Sequence, residues 1–143
     1  MRLTSDGRAK LIDFGILVTA GVIKPAAGSP PAIASEVLQG IPVDHRADLY
    51  GLGTLAYLML THRHAYPARY IADLPDCWKR TPVAPSTVRD DVPAALDELV
   101  ASILSHEPLA RPVSAAEVIG RLEAIVDFAP SDRQVFHGYI ASA

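Results

Sequence analysis

From Leu49 to Thr61 the chain carries no charged residue, and Leu49, Leu52, Leu55, Ala56, Leu58, Met59 and Leu60 distribute apolar side chains over nearly every face of a helix. A helix that is apolar all round has to be wrapped by other elements, so this segment demands a fold built around it. It falls short of the roughly 20 residues that a bilayer span requires, and Asp48, His62 and Arg63 bracket it. The segment therefore reads as a buried central helix, running from about Arg46 to Thr61 with Asp44 as its N-cap.

The elements that would wrap it are legible downstream. Leu96, Leu99, Val100, Ile103 and Leu104 recur at i, i+3, i+4, i+7 and i+8, the pattern of an amphipathic helix, and Pro93 suits its first turn. A last helix opens on the capping box Ser114-Ala115-Ala116-Glu117 and carries Val118, Leu122 and Ile125 on one stripe. A short helix is expected around Ala68 to Leu74, followed by a loop broken at Pro75, Pro82 and Pro85. At the other end, Leu3-Thr4 and Ala9 to Ile12 flank Ser5-Asp6-Gly7-Arg8, and Asp-Gly supplies the positive φ of a tight hairpin turn. From Asp13 to Gly40 the sequence has no sustained period and reads as an extended loop. The expected fold is mainly α: a short N-terminal β-hairpin followed by a helical bundle.

Composition narrows the function classes. With 143 residues, 50% of them hydrophobic and 20% charged, the chain can bury one ordinary core and is not disordered. Net charge is -3 and no run of Lys or Arg forms a phosphate-neutralising stripe, so nucleic acid is not an expected partner. A membrane is not expected either. The start Met1-Arg2-Leu3-Thr4-Ser5-Asp6 has no export signal, and the expected location is cytoplasmic. Cys77 is alone, so no internal disulfide or cysteine metal cluster can form. His62 and His64 lack a third ligand nearby and receive no metal role.

Asp13-Phe14-Gly15 follows the hairpin. Downstream come Gly28-Ser29-Pro30-Pro31-Ala32-Ile33-Ala34-Ser35-Glu36, then Asp44-His45-Arg46-Ala47-Asp48-Leu49-Tyr50-Gly51-Leu52-Gly53, then Leu104-Ser105-His106-Glu107-Pro108-Leu109-Ala110-Arg111-Pro112. In that order and spacing these blocks resemble the second half of a serine/threonine protein kinase, especially the bacterial type: D-F-G, G-T-P-x-Y-M-A-P-E, the D-x-Y-x-x-G helix and the R-P turn. The resemblance covers roughly residues 1–126 and implies a kinase C-lobe. Residues 127–143 are expected to be an extension or a linker to a further domain.

The resemblance implies a role for each matching residue. Asp13 would coordinate a Mg²⁺ that bridges ATP phosphates, making it the catalytic, cofactor-binding and metal residue. Ser29 would contact the catalytic aspartate and line the pocket for the residue after the phosphoacceptor. Glu36 and Arg111 would lock the loop onto the helical core, a guanidinium holding a carboxylate bidentately. Asp48 would accept hydrogen bonds from catalytic-loop amides. Thr19, the only hydroxyl between Ile16 and Gly28, is the candidate activation-loop phosphosite.

Departures accompany the matches: Ala32 replaces the pattern's tyrosine, Ser35 its proline, and His62 a glycine after the central helix. The family's glycine-rich loop, strand lysine and H-R-D-x-x-x-x-N loop match nothing in these 143 residues. Aligned on Asp6-Gly7 and Asp13, the catalytic-loop asparagine would fall immediately before Met1. The chain is thus expected to begin inside a domain whose N-terminal half is missing. The implied reaction is transfer of the ATP γ-phosphoryl to a Ser or Thr of a protein substrate, with Mg²⁺, and the isolated chain is expected to be inactive. The alternative is a non-catalytic helical interaction module derived from a kinase C-lobe.

Overall fold

The structure is a computed structural model and describes residues 2–5, 8–10, 17–21 and 28–125. It is mainly helical. Strands β1 (Arg2–Leu3) and β2 (Ala9–Lys10) pair antiparallel, with Arg2 opposite Lys10 and Leu3 opposite Ala9. Thr4 closes this hairpin, its amide and its hydroxyl both donating to the Arg8 carbonyl, at 2.8 and 3.0 Å. A hairpin is expected here, with its first strand at Leu3-Thr4 instead of Arg2–Leu3; Asp6-Gly7 and the rest of the second expected strand lie outside the described residues.

Among the described residues five helices follow: α1 (Ser35–Gln39), α2 (Arg46–Thr61), α3 (Leu74–Cys77), α4 (Ala94–Ile103) and α5 (Ala115–Ile125). Single 3-10 turns at Pro30–Ala32, Ile71–Asp73, Pro85–Thr87 and Pro108–Ala110 link them, three of them opening on a proline whose fixed φ suits a first helical position. Helix α1 corrects the reading of residues 13–40 as loop throughout. It is five residues long and ends on Gly40, whose φ of 67° is the left-handed conformation that glycine adopts without penalty.

Helix α2 has the expected bounds, but it is not buried on every side. Leu49, Tyr50, Gly53, Thr54, Tyr57 and Thr61 are buried, whereas Leu52 is 44% and Met59 62% exposed. The apolar pattern marks a helix in contact with much of the fold; which flank stays open depends on neighbours that the pattern does not encode. Asp44 is not the N-cap. His45 holds that position, and Asp44 Oδ1 instead accepts the Arg46 amide at 2.8 Å, one residue earlier than expected.

Helix α4 crosses α2 where glycine permits the closest approach: a Cβ on Gly53 would lie 2.6 Å from Ile103 Cγ2. Pro93 is the N-cap of α4, not its first helical residue. Helix α5 also packs on α4, so that Leu49, Leu99, Ile103 and Val118 form one core with Leu96, Leu122 and Ile125 against it. A second core gathers Ala34, Tyr50, Tyr57, Tyr66, Val100 and Leu104, and a third Ile33, Ala68 and Leu74. At α5 the Ser114 hydroxyl accepts the Glu117 amide at 3.2 Å, while the Glu117 carboxylate reaches the amide of Val113, not that of Ser114. The short helix expected at Ala68 to Leu74 lies later, at Leu74–Cys77, because Pro75 serves in the first turn of α3 and does not break it. Among the described residues no helix is long and apolar enough to cross a membrane.

Candidate functional site

Arg111 is the centre of the most connected polar cluster. It leaves the Pro108–Ala110 turn in extended conformation and its side chain is wholly buried. Nη1 donates to Glu36 Oε1 at 2.7 Å and Nη2 to Glu36 Oε2 at 2.8 Å, so fork meets carboxylate on both oxygens. The remaining donors are used as well: Nε reaches the Ser105 carbonyl at 2.7 Å and Nη1 the Arg46 carbonyl at 2.9 Å. A buried charge pair repays its desolvation only when such additional hydrogen bonds are in place. The pair spans residues 36 and 111, tying α1 to the turn before α5 and, through the Arg46 carbonyl, to the start of α2.

Aromatic residues complete the cluster. The Arg111 guanidinium carbon lies 4.9 Å above the ring of Tyr50, which is fully buried. Tyr50 in turn accepts the indole N–H of Trp78 at 3.2 Å. Burial raises the Tyr50 phenol far above its ordinary range, so it remains a neutral hydroxyl. His106 packs against Tyr66 and Trp78, with ring centroids 5.2 and 5.3 Å away, and its Nε2 shares a hydrogen bond with the Tyr66 hydroxyl at 2.9 Å. Burial lowers the His106 pKa, and the nearby Arg111 charge lowers it further.

Ser35 belongs to this cluster. Its hydroxyl donates to the His106 carbonyl at 2.6 Å and also contacts Glu36 Oε2 at 3.3 Å. A proline at position 35 would make neither bond, so the departure noted in the sequence adds a fastening. Tyr50, Tyr66, Trp78 and His106 were not singled out as site residues by the sequence. His106 lies inside a quoted motif, but its partners are distant in the chain and no local pattern pairs them.

The other candidates are placed as follows. Ser29 is exposed beside the Pro30–Ala32 turn, and its side chain does not cap that turn. Thr19 is exposed, and the nearby Gly21 donates its amide to the Val43 carbonyl at 2.8 Å. Asp48 is exposed in the first turn of α2, and no described residue hydrogen-bonds its carboxylate. Asp13 lies outside the described residues. Glu36 and Arg111 are thus brought together, while Ser29, Thr19 and Asp48 stand apart from them.

The described residues hold no group of three or more His, Cys, Asp or Glu side chains placed to bind a metal. An open cleft of about 530 Å³ runs beside the cluster, between α2, α4 and the 80–85 loop, with Tyr57, Tyr66, Trp78 and His106 on its walls.

No protein-family model matches the chain. Curated relatives do. A probable serine/threonine-protein kinase of Clostridium acetobutylicum is 28% identical over 94% of this chain and 21% of its own length. A probable serine/threonine-protein kinase of Streptomyces coelicolor is 30% identical over 98% of this chain and 22% of its own length. A serine/threonine-protein kinase of Myxococcus xanthus is 37% identical over 75% of this chain and 16% of its own length. The chain spans about a fifth of the length of these curated relatives.

Proposed function

Since this chain is homologous to serine/threonine protein kinases, we propose that it forms the C-lobe portion of such a kinase, starting just before the D-F-G motif, and acts in transfer of the ATP γ-phosphoryl to Ser or Thr of a protein substrate. The observation that carries this reading is the buried Glu36–Arg111 pair. It joins the end of the G-T-P-x-Y-M-A-P-E-like block to the R-P turn, as the resemblance requires of those two positions.

Bound MgATP supplies the transferred phosphoryl and the metal that neutralises developing charge. The resemblance gives the metal-binding role to Asp13, whose carboxylate would hold the Mg²⁺. This chain's other residues position. Glu36 and Arg111 fix the downstream end of the substrate loop on the helical core, which holds Ser29 at a set distance from α2. Ser29 contacts the catalytic aspartate and lines the pocket for the residue after the phosphoacceptor. Asp48 offers its exposed carboxylate to backbone amides of a catalytic loop contributed by sequence upstream of Met1. Residues 1–126 then form the kinase part and residues 127–143 an extension, in a protein working in the cytoplasm.

The exposed Leu52 and Met59 on α2 are apolar surface that the rest of a kinase domain would cover. The reading is tested by expressing the chain with the coding sequence that precedes Met1 in frame. ATP-dependent labelling of a generic protein substrate is expected from the extended protein and not from residues 1–143 alone, and Asp13→Asn in the extended protein should abolish it while leaving the melting curve in place. Stop codons in frame directly upstream, or full transfer by Asp13→Asn, would count against it.

A further inference from the structure

The cleft beside the Arg111 cluster, between α2, α4 and the 80–85 loop, takes no part in the phosphoryl-transfer reading. Its volume of about 530 Å³ falls within the roughly 300–1,000 Å³ of small-molecule sites. It is well above the ~150 Å³ in which an apolar cavity of another protein holds one benzene ring. One protein side chain would leave most of it empty; a whole small molecule would fill it.

The aromatic walls have their polar atoms already engaged. Tyr57 donates its hydroxyl to the Val83 carbonyl at 2.8 Å, the Trp78 indole N–H donates to Tyr50 at 3.2 Å, and the Tyr66 hydroxyl shares a hydrogen bond with His106 Nε2 at 2.9 Å. These bonds hold the rings in place and leave their carbon surface, negative on the ring faces, for a ligand. Charge on the walls is unequal. Among the described lining residues Asp97 and Glu98 of α4 are acidic, and Arg80 alone is basic. Asp97 Oδ1 accepts the Ser86 amide at 2.9 Å, whereas no described residue hydrogen-bonds the Glu98 carboxylate. The lowered pKa of His106 keeps its imidazole neutral at neutral pH, so it adds no second cation.

We propose that this cleft binds a small organic cation, a methylated ammonium on an apolar or aromatic body. Aromatic rings and an excess of carboxylate both favour positive charge. A methylated ammonium has no N–H to satisfy, which suits walls whose hydroxyl and indole groups are taken up by the protein itself. The assignment stands on these walls and does not rest on the kinase reading.

Trp78 is the single tryptophan of the chain and lines the cleft, so its emission reports occupancy. The 143-residue chain is titrated with benzyltrimethylammonium, with neutral benzyl alcohol and with phenylacetate at equal ionic strength. The cation is expected to bind at least tenfold more tightly than either of the others. Glu98→Gln removes a charge without removing a bond that the structure shows, and should weaken the cation threefold or more while leaving benzyl alcohol unchanged. Ala101→Leu, at an exposed α4 position on the cleft wall, narrows the space at little cost in helix propensity and should lower the cation's affinity about tenfold. If it fails to fold, Glu98→Gln decides. Equal affinity for the three ligands, no response of Trp78, or a cation affinity that a folded variant leaves unchanged overturns the proposal. So does tighter binding of an acetyl-Gly-trimethyllysine-Gly amide peptide than of benzyltrimethylammonium, which would give the cleft to a protein side chain. Phosphoryl transfer by the upstream-extended protein bears only on the kinase reading.

Discussion

Arg111 sits over Tyr50 with its guanidinium carbon 4.9 Å from the ring centroid, while the edge of the same guanidinium grips Glu36. Planarity serves both contacts: one face meets the ring and the N–H fork meets the carboxylate. An ammonium has neither a flat face nor a fork. Arg111→Lys should therefore lower stability, by about 2–4 kcal/mol against the roughly 3–5 kcal/mol for removing one partner of a buried pair outright. Denaturant titration measures it, and an unchanged midpoint would remove the pair from any structural role.

His62 ends α2 with φ at 56°, the one positive φ at a non-glycine position among the described residues, and its amide still bonds the Leu58 carbonyl at 2.8 Å. A side chain in the left-handed region costs roughly 1–2 kcal/mol relative to glycine. His62→Gly should raise stability by about 1 kcal/mol, since some of the relief is returned as unfolded-state entropy. A drop in Tm would contradict this account of the helix end.

Gly53 gives the reverse expectation. A methyl added at this position would lie only 2.6 Å from Ile103 Cγ2, so Gly53→Ala must push α2 and α4 apart. The gain in helix propensity is about 1 kcal/mol, and overpacking costs about 1–3 kcal/mol. A net loss of stability is expected by denaturant titration, whereas Gly51→Ala, with open space beside it, should gain.

His106 links stability to pH. Its folded pKa is lowered, first by burial and then by Arg111, while in the unfolded chain it titrates near 6.5. The unfolded state therefore binds more protons in the window just below 6.5. Stability is complete above that value and falls as pH drops through 6.5 toward the lowered folded pKa. Denaturation midpoints at pH 7.5 and 5.5 should differ for the wild type and converge for His106→Gln, which can still bond Tyr66. Equal midpoints in the wild type would refute the coupling.

Leu52 and Met59 leave an apolar flank on α2, 44% and 62% exposed respectively. Contiguous apolar surface promotes association. The chain expressed alone should self-associate in sedimentation velocity runs, and the double variant Leu52→Gln, Met59→Gln should be more monomeric at equal concentration. A monomeric wild type would show that this flank needs no cover.

How much of the fold is readable from sequence depends on the range of the physics involved. The 3.6-residue periodicity from Leu96 to Leu104 and the Ser114–Glu117 cap are local signals, and α4 and α5 appear where those signals fall. The Glu36–Arg111 contact spans 75 positions, and only the resemblance points to it. The Trp78–Tyr50 and His106–Tyr66 bonds, separated by 28 and 40 residues, leave no trace in any local pattern. Asp44 falls one position from its expected role because an acid before a helix can bond either as the cap or as a turn preceding it. The flank of α2 that stays open is unreadable because burial is a property of neighbours.

The reach of Arg111 has a consequence for how the molecule opens. Its donors bind carbonyl or carboxylate groups of residues 36, 46 and 105, and Ser35 binds the carbonyl of 106. No one of these segments can detach without stranding a buried guanidinium, so they should exchange their amide hydrogens as a single cooperative unit. Helix α1 and the helical core then share one local-opening free energy, and α1 is held as firmly as the core itself.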